Sequence, residues 1–361
     1  MTLPVLALVW ASGLGVSHPV QAQPSSANSV VEMLAETFGR RESSDASVLE
    51  QVAETGKLVA GTRTDAAPFA YINAEGQWVG YSIDLLEQMR SRLQQQLGHP
   101  VELELVAADG NGLTLVAEGK VDIVCGSTSF SRNRNLEVDF SLGYFVTGTQ
   151  LLINSGNELG DEFVIGSVSG TTNHLLIQKL FPIAQLITVE SRQVGLDALV
   201  NGRIDAFASD GILLEAMRRS WEPAAAPSTA TAADSTLAQA EKSATPAEPP
   251  AQTPAATPLP SHRGTLEIVP DRPFDQETYA CMLPQNNPDF QQMVNASLLD
   301  FMKAALAGET QAMGILNRWF GVSGTVPIDQ QPLLGFFQQQ VDHHALPDTS
   351  LPQARIPTEL P

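Results

Sequence analysis

The sequence predicts an α/β chain folded as two similar lobes, and three observations predict it. First, Val121 to Val124 is a short apolar run of buried-strand type. It empties into a loop of small hydroxyl residues, Gly126 to Arg134. Second, that unit has an internal echo. Leu115 to Val124 (Leu-Val-Ala-Glu-Gly-Lys-Val-Asp-Ile-Val) resembles Leu199 to Phe207 (Leu-Val-Asn-Gly-Arg-Ile-Asp-Ala-Phe). Each copy reads as a helix end, a glycine cap and a buried strand running into a polar loop. Third, strands alternate with segments of helical periodicity along the chain. Two lobes imply a crevice between them, a common seat for a small ligand.

The elements follow in order. Folded sequence begins near Leu49. Leu58 to Ala60 reads as a strand with Gly61 to Phe69 as its exit loop, and Ala70 to Trp78 as a hairpin turning at Asn73-Ala-Glu-Gly76. From Ser82 to Leu97, the apolar residues Ile83, Leu86, Met89, Leu93 and Leu97 recur at helical spacing. Gly98 and Pro100 end that helix, and Val101 to Val106 is the next strand. Beyond the first echo copy, Val164 opens another strand. Its glycine-hydroxyl loop, through Ser169-Gly-Thr-Thr172, starts a helix at Asn173. Thr171 or Thr172 serves as N-cap, and the free N–H groups of a helix start also suit an anion. Pro223 to Ser261 is Ala-, Pro-, Ser- and Thr-rich without an aromatic residue, so it reads as a disordered insertion within a lobe. Regular sequence resumes at Gly264 to Val269. Helices are expected over Phe290 to Leu306 and Met313 to Phe320. From Val326 a Pro- and Gln-rich tail follows, with one amphipathic piece, Leu333 to Val341.

Composition limits the function. The chain has 361 residues and a net charge of -20, with a pI near 4.5. Nucleic acid is therefore excluded as a partner, and an anionic ligand needs local cations to hold it. Arg134 and Arg132, in the hydroxyl loop, offer planar forks that fit a carboxylate; the same loop also reads as an ordinary turn with surface arginines. Leu3 to Val16 followed by Val20-Gln-Ala22 fits an export signal without the usual basic start. No later stretch has 18 uninterrupted apolar residues. In an exported protein the two cysteines, Cys125 and Cys281, read either as one disulfide or as two separate buried thiols. No P-loop, His-Glu-x-x-His, paired Cys-x-x-Cys or Gly-x-Ser-x-Gly segment occurs. Asp342-His-His344 reads as solvated tail rather than a metal site, and no cofactor is expected.

Several segments occur in a specific order: Gly61-x-Arg63 with Pro68-Phe69, Val79-Gly-Tyr-Ser82, Cys125-Gly-Ser-Thr128, Ser169-Gly-Thr-Thr172, Gly202-Arg203, Tyr279-x-Cys-Met-Leu283 and Arg318-Trp-Phe320. In this order the chain resembles the periplasmic amino-acid-binding proteins of ABC transporters (solute-binding protein family 3), in particular the glutamate/aspartate-binding branch. The resemblance runs from about Leu49 to about Phe320. It implies the type II periplasmic-binding-protein fold, two α/β lobes joined by a two-strand hinge. The implied layout is a signal peptide over 1–22, an extension over 23–48, and lobe 1 over 49–147. Lobe 2 covers 148–275 with the insertion 223–261, lobe 1 returns over 276–325, and a tail covers 326–361.

The resemblance also assigns roles. The arginine ahead of Asp139-Phe-Ser141 clamps the ligand α-carboxylate, which selects Arg134 over Arg132, with Ser127 and Ser129 assisting. Asp210 holds the α-ammonium, and Gly170, Thr171 and Thr172 contact the ligand from lobe 2. Arg63 suits a side-chain carboxylate. Arg192 stands where the branch has a histidine, and Ala66 lacks an aromatic that some relatives stack on the ligand. Arg63 is expected to stand without a protein partner, which favours an acidic ligand; Arg192 either joins it or faces solvent, in which case selectivity broadens to polar neutral amino acids. Both cysteines fall in lobe 1, which implies a disulfide. The expected function is a monomeric, exported receptor that captures a polar, acidic amino acid for an ABC permease and carries no catalysis. The rivals are a dehydratase-type enzyme of the same fold, with Glu190 as nearest acid, and an amino-acid sensor module.

Overall fold

A computed structural model describes residues 47–110, 112–155, 162–221 and 264–345. The expected signal peptide, nearly all of the extension and insertion, and the last residues of the tail lie outside the described residues.

Ser47 caps the first helix, α1 (Val48–Thr55), through a capping box with Glu50. The chain then enters β1 (Lys57–Thr62). A small three-stranded antiparallel sheet follows, made of β2 (Asp65–Ala66), β3 (Ala70–Ile72) and β4 (Trp78–Val79). Helix α2 (Tyr81–Leu97) buries Ile83, Leu85, Leu86, Met89 and Leu93, the stripe its spacing predicts. After β5 (Glu102–Ala107) come the short helix α3 (Gly112–Ala117) and β6 (Ile123–Val124). β1 pairs in parallel with both β5 and β6, so the chain leaves β1 and β6 at the same sheet edge.

The chain next forms β7 (Asp139–Phe140) and crosses to the second lobe through β8 (Phe145–Thr147). That lobe contains β9 (Thr149–Asn154), β10 (Val164–Val168), α4 (Thr172–Leu180), β11 (Gln185–Val189), α5 (Arg192–Val200), β12 (Ala206–Asp210), α6 (Gly211–Ser220) and β13 (Leu266–Val269). Its sheet order is β11-β10-β12-β9-β13, with β11, β10 and β12 parallel. Every residue of β12 is buried, as expected for a central strand covered on both faces by helices. The two echo copies occupy equivalent places, α3 into β6 and α5 into β12. The glycines between them, Gly119 and Gly202, both sit at φ 65, a left-handed helix end that favours glycine.

The return strand β14 (Glu277–Tyr279) pairs antiparallel with β8, placing Glu277 opposite Thr147 and Tyr279 opposite Phe145. These two crossing strands are the hinge ribbon. Its aromatic residues anchor in the lobe 1 core: Phe69 meets Phe145 and Tyr279 edge-on at 4.8 and 4.9 Å, and Phe145 stacks on Phe320 at 5.0 Å. β15 (Met282–Leu283) completes the first sheet, β5-β1-β6-β15-β7. Cys125 and Cys281 form a disulfide with Cα atoms 4.5 Å apart. It ties the loop after β6 to the end of the hinge ribbon.

Helices α7 (Pro288–Leu306), α8 (Thr310–Phe320) and α9 (Gln331–Ala345) close lobe 1. Here the structure corrects the expected tail. Val326 is fully buried, and α9 places Leu333, Phe336 and Phe337 in the lobe 1 core. The amphipathic piece is thus part of the lobe, because three apolar side chains on one helical face have α7 to pack against. Among the described residues, no helix is long and apolar enough to cross a membrane.

Candidate functional site

The expected site residues sit on loops at the carboxyl ends of parallel strands, the usual ligand position in an α/β sheet. Arg63 follows β1, the loop from Gly126 to Arg134 follows β6, α4 starts just after β10, Arg192 opens α5 just after β11, and Asp210 ends β12. The hydroxyl loop is braced from beneath: Ser82 donates to the Gly126 carbonyl at 3.0 Å, and Thr62 donates to the Cys125 carbonyl at 2.6 Å.

Arg134 turns into the cleft and Arg132 is exposed, so the structure separates the two arginines. Arg134 Nη1 donates to the Ser129 carbonyl at 3.1 Å and Nη2 to the Gly170 carbonyl at 3.0 Å, the second bond joining lobe 1 to lobe 2. Gly170, at φ 73, can turn its carbonyl this way where a side-chain-bearing residue would be strained. Thr171 is the N-cap of α4, accepting from the His174 N–H at 3.2 Å, which leaves the Thr172 hydroxyl free to act elsewhere. Thr172 Oγ1 donates to Glu277 Oε2 at 2.9 Å, and Ser129 Oγ donates to the same oxygen. Ser127 Oγ is buried and has no protein partner.

Asp210 is 2% exposed and accepts from Asn173 Nδ2 at 3.2 Å. Burial raises its pKa, against the opposing pull of Tyr279, Arg192 and Asn173. Glu277, on the hinge ribbon, is 7% exposed. Burial and then the Asp210 charge push its carboxyl up to about 8, so one proton resides on this pair at neutral pH. Neither carboxyl makes an ion pair among the described residues; both rely on neutral donors. Tyr279, whose hydroxyl lacks a well-formed hydrogen bond, is close enough to Asp210 for that charge to raise its pKa further beyond what burial does.

At the other end of the cleft, the structure corrects the expectation that Arg63 and Arg192 lack partners. Asp65 lies between them. Its Oδ1 accepts from Arg63 Nη2 at 2.6 Å and Nε at 2.8 Å, and from Arg192 Nη1 at 3.0 Å across the lobes. Asp109 stands 3.7 Å from Arg63 at the rim. Burial disfavours the Asp65 charge, but Arg192 and Arg63 together hold its pKa below the usual carboxylate value. Arg192 is 4% exposed, and its Nε has no partner. Two guanidiniums thus share the half-buried Asp65 carboxylate, with Asp109 beside Arg63 as well.

Asp65, Glu277, Tyr279 and Asn173 escaped the sequence reading. Asp65 lies two residues beyond Arg63, and Glu277 two residues before Tyr279 on the same strand, so alternation places Glu277 and Tyr279 on one face. That period-two signal was present; nothing in the sequence said which face meets the ligand. Glu190, the acid of the enzyme alternative, is exposed. Among the described residues, no group of three or more His, Cys, Asp or Glu is placed to hold a metal. A surface groove of about 390 Å³ between α2, α7 and α8 shares none of the cleft residues.

The family model for bacterial extracellular solute-binding proteins, family 3, matches residues 58–322. The chain is 26% identical over 285 residues to the glutamate/aspartate import solute-binding protein of Salmonella typhimurium, covering 76% of this chain and 78% of the relative. It is 28% identical over 185 residues to the glutamine-binding protein of Geobacillus stearothermophilus, covering 49% of this chain and 70% of the relative. Among solved structures, a mutant of ArgBP from T. maritima superposes with a TM-score of 0.56 at 18% identity, covering 75% of this chain and 98% of that one. That likeness shows the shared fold.

Proposed function

Since the chain belongs to the bacterial extracellular solute-binding proteins, family 3, a family of receptors rather than enzymes, we propose that it is the receptor of an ABC uptake system that captures glutamate or aspartate. In this reading it is exported to the periplasm and delivers its ligand, as a monomer, to membrane permease subunits.

The observation that carries the acidic ligand is the buried, unpartnered guanidinium Nε of Arg192 beside Arg63. Arg63, Arg134 and Arg192 share the cleft with Asp65, Asp109, Asp210 and Glu277, whose carboxyl is pushed up to about 8. Arg192 is buried with its Nε unpartnered, and a buried guanidinium nitrogen without an acceptor is costly. An acidic side chain supplies the acceptor that an apolar or cationic side chain does not. Arg134 takes the α-carboxylate with Ser127, Ser129, Gly170, Thr171 and Thr172 around it, and Asp210 takes the α-ammonium. The unpaired Nε of Arg192 and its neighbour Arg63 receive the side-chain carboxylate. The Salmonella relative bears a glutamate/aspartate name and the Geobacillus relative a glutamine name, so charge, not kinship, separates the choices. A polar amide is the second reading, favoured by Asp65, which already takes up part of the arginine charge.

The test is calorimetry against the standard amino acids, on protein freed of carried-over ligand by unfolding with its disulfide intact. Glutamate or aspartate should bind most tightly. Stoichiometric displacement of glutamate by arginine or leucine would overturn the proposal.

A further inference from the structure

We propose that Glu277 determines which side chain the cleft accepts: neutral, it admits an acidic amino acid; ionised, it shifts the cleft toward uncharged ones. This rests on the amino-acid-receptor reading above and deepens it.

The geometry is specific. Glu277 sits on the second hinge strand and is bonded by Ser129 from lobe 1 and Thr172 from lobe 2, so one carboxyl group touches both jaws of the cleft. Its surroundings would force it to share a proton even without a ligand. Asp210, at the end of β12, and Asp275, in the bend before β14, oppose its charge. Ser129 and Thr172 stabilise it only through hydroxyls. Across the ribbon stands Thr147, which carries no charge. Arg134, on the lobe 1 loop, feels the charge of both Glu277 and Asp210 but donates its two hydrogen bonds to backbone carbonyls. Tyr279, two residues on, is neutral. Two buried carboxyls that lack their own cations cannot both ionise at low cost. Pushed up to about 8, the Glu277 carboxyl holds a proton into the neutral range.

The charge count then turns on that proton. Neutral, Glu277 sets no charge against a ligand's second carboxylate. Ionised, it makes the cleft one charge more negative, and that charge disfavours a second ligand carboxylate. By linkage, Glu277 must have a higher pKa in the glutamate complex than in the glutamine complex. The affinity ratio of the two ligands therefore falls as pH rises through the interval between those values. The ligands' own ammonium groups titrate alike and cancel in the ratio.

Calorimetric titration of L-glutamate and L-glutamine, from about pH 6 to about pH 9, tests this on the full chain and on Glu277→Gln. In the wild type the glutamate-to-glutamine affinity ratio should fall about ten-fold, one unit's worth of pKa difference. In Glu277→Gln the ratio should stay at its low-pH value throughout. A wild-type ratio independent of pH, or an equal fall in the variant, overturns the role of Glu277 while the receptor reading stands. Binding of neither ligand, nor of any other amino acid, overturns both. If the variant does not fold, infrared spectroscopy of the wild type decides. A protonated-carboxyl band that bleaches as pH passes about 8 is expected, and its absence at neutral pH overturns the proposal.

Discussion

Asp65→Asn is the sharpest perturbation the structure offers. It leaves size and shape nearly unchanged and removes one charge from between two guanidiniums. Asp65 is bonded at 2.6 and 2.8 Å to Arg63 and at 3.0 Å to Arg192. At an effective dielectric of about 20, each contact is worth roughly 5 kcal/mol before desolvation is counted. Desolvation reclaims most of this, and loss of one partner of a fully buried pair costs about 3–5 kcal/mol. The Asp65 side chain is 20% exposed, and Asn still offers a carbonyl oxygen, so the expected loss is nearer 2–3 kcal/mol. For a chain of this size that corresponds to a melting temperature lower by about 3–6 °C.

The sign with ligand is opposite. The variant cleft carries one more positive charge than the wild type, so L-glutamate should raise its melting temperature more than that of the wild type, and the preference for glutamate over glutamine should rise about ten-fold. The pH dependence follows from the depressed pKa of Asp65. Its contribution is fully present above the unfolded value near pH 4 and is lost as pH falls through the lower folded value, so the acid limb of the wild-type stability curve should be steeper than that of the variant. Differential scanning fluorimetry over pH, without ligand and with L-glutamate or L-glutamine, reads all four effects. A variant that melts within about 1 °C of wild type and gains no extra stabilisation from glutamate would refute the bridging role of Asp65.

Other expectations are simpler to state. Arg134→Ala should weaken binding of any amino acid by about 2–5 kcal/mol, because it strands the α-carboxylate in a desolvated cleft; an affinity within a few-fold of wild type, by calorimetry, would show that another group holds the carboxylate. Reducing Cys125–Cys281, whose residues are 156 positions apart, should lower stability by roughly 2–5 kcal/mol. Non-reducing peptide mapping of exported protein should find the linked pair; two freely alkylated thiols would contradict the structure.

Much of the fold was legible because it is written in local periodicity. The stripe Ile83, Leu86, Met89 and Leu93 faces the core as spaced. The repeated helix–glycine–strand unit stands at matching places in the two lobes, and the glycine-hydroxyl loop starts a helix capped by Thr171. These depend on neighbours within one or two turns. The tail was misread for the opposite reason: Leu333, Phe336 and Phe337 are buried only because α7 lies beneath them, a partner distant in sequence.

The candidate site divides the same way. Sequence by itself determined which residue types stand on which loops: Arg134 among hydroxyls, Asp210 at a strand end, Arg63 and Arg192 at strand exits. Only the tertiary structure decided their electrostatic company. Asp65 touches Arg192, 127 positions away, and Glu277 meets Ser129 from 148 positions away. Charge balance in a buried cleft is a sum over groups gathered from both lobes and the hinge. No single segment carries that sum, because burial and Coulomb interaction depend on distance in space rather than along the chain.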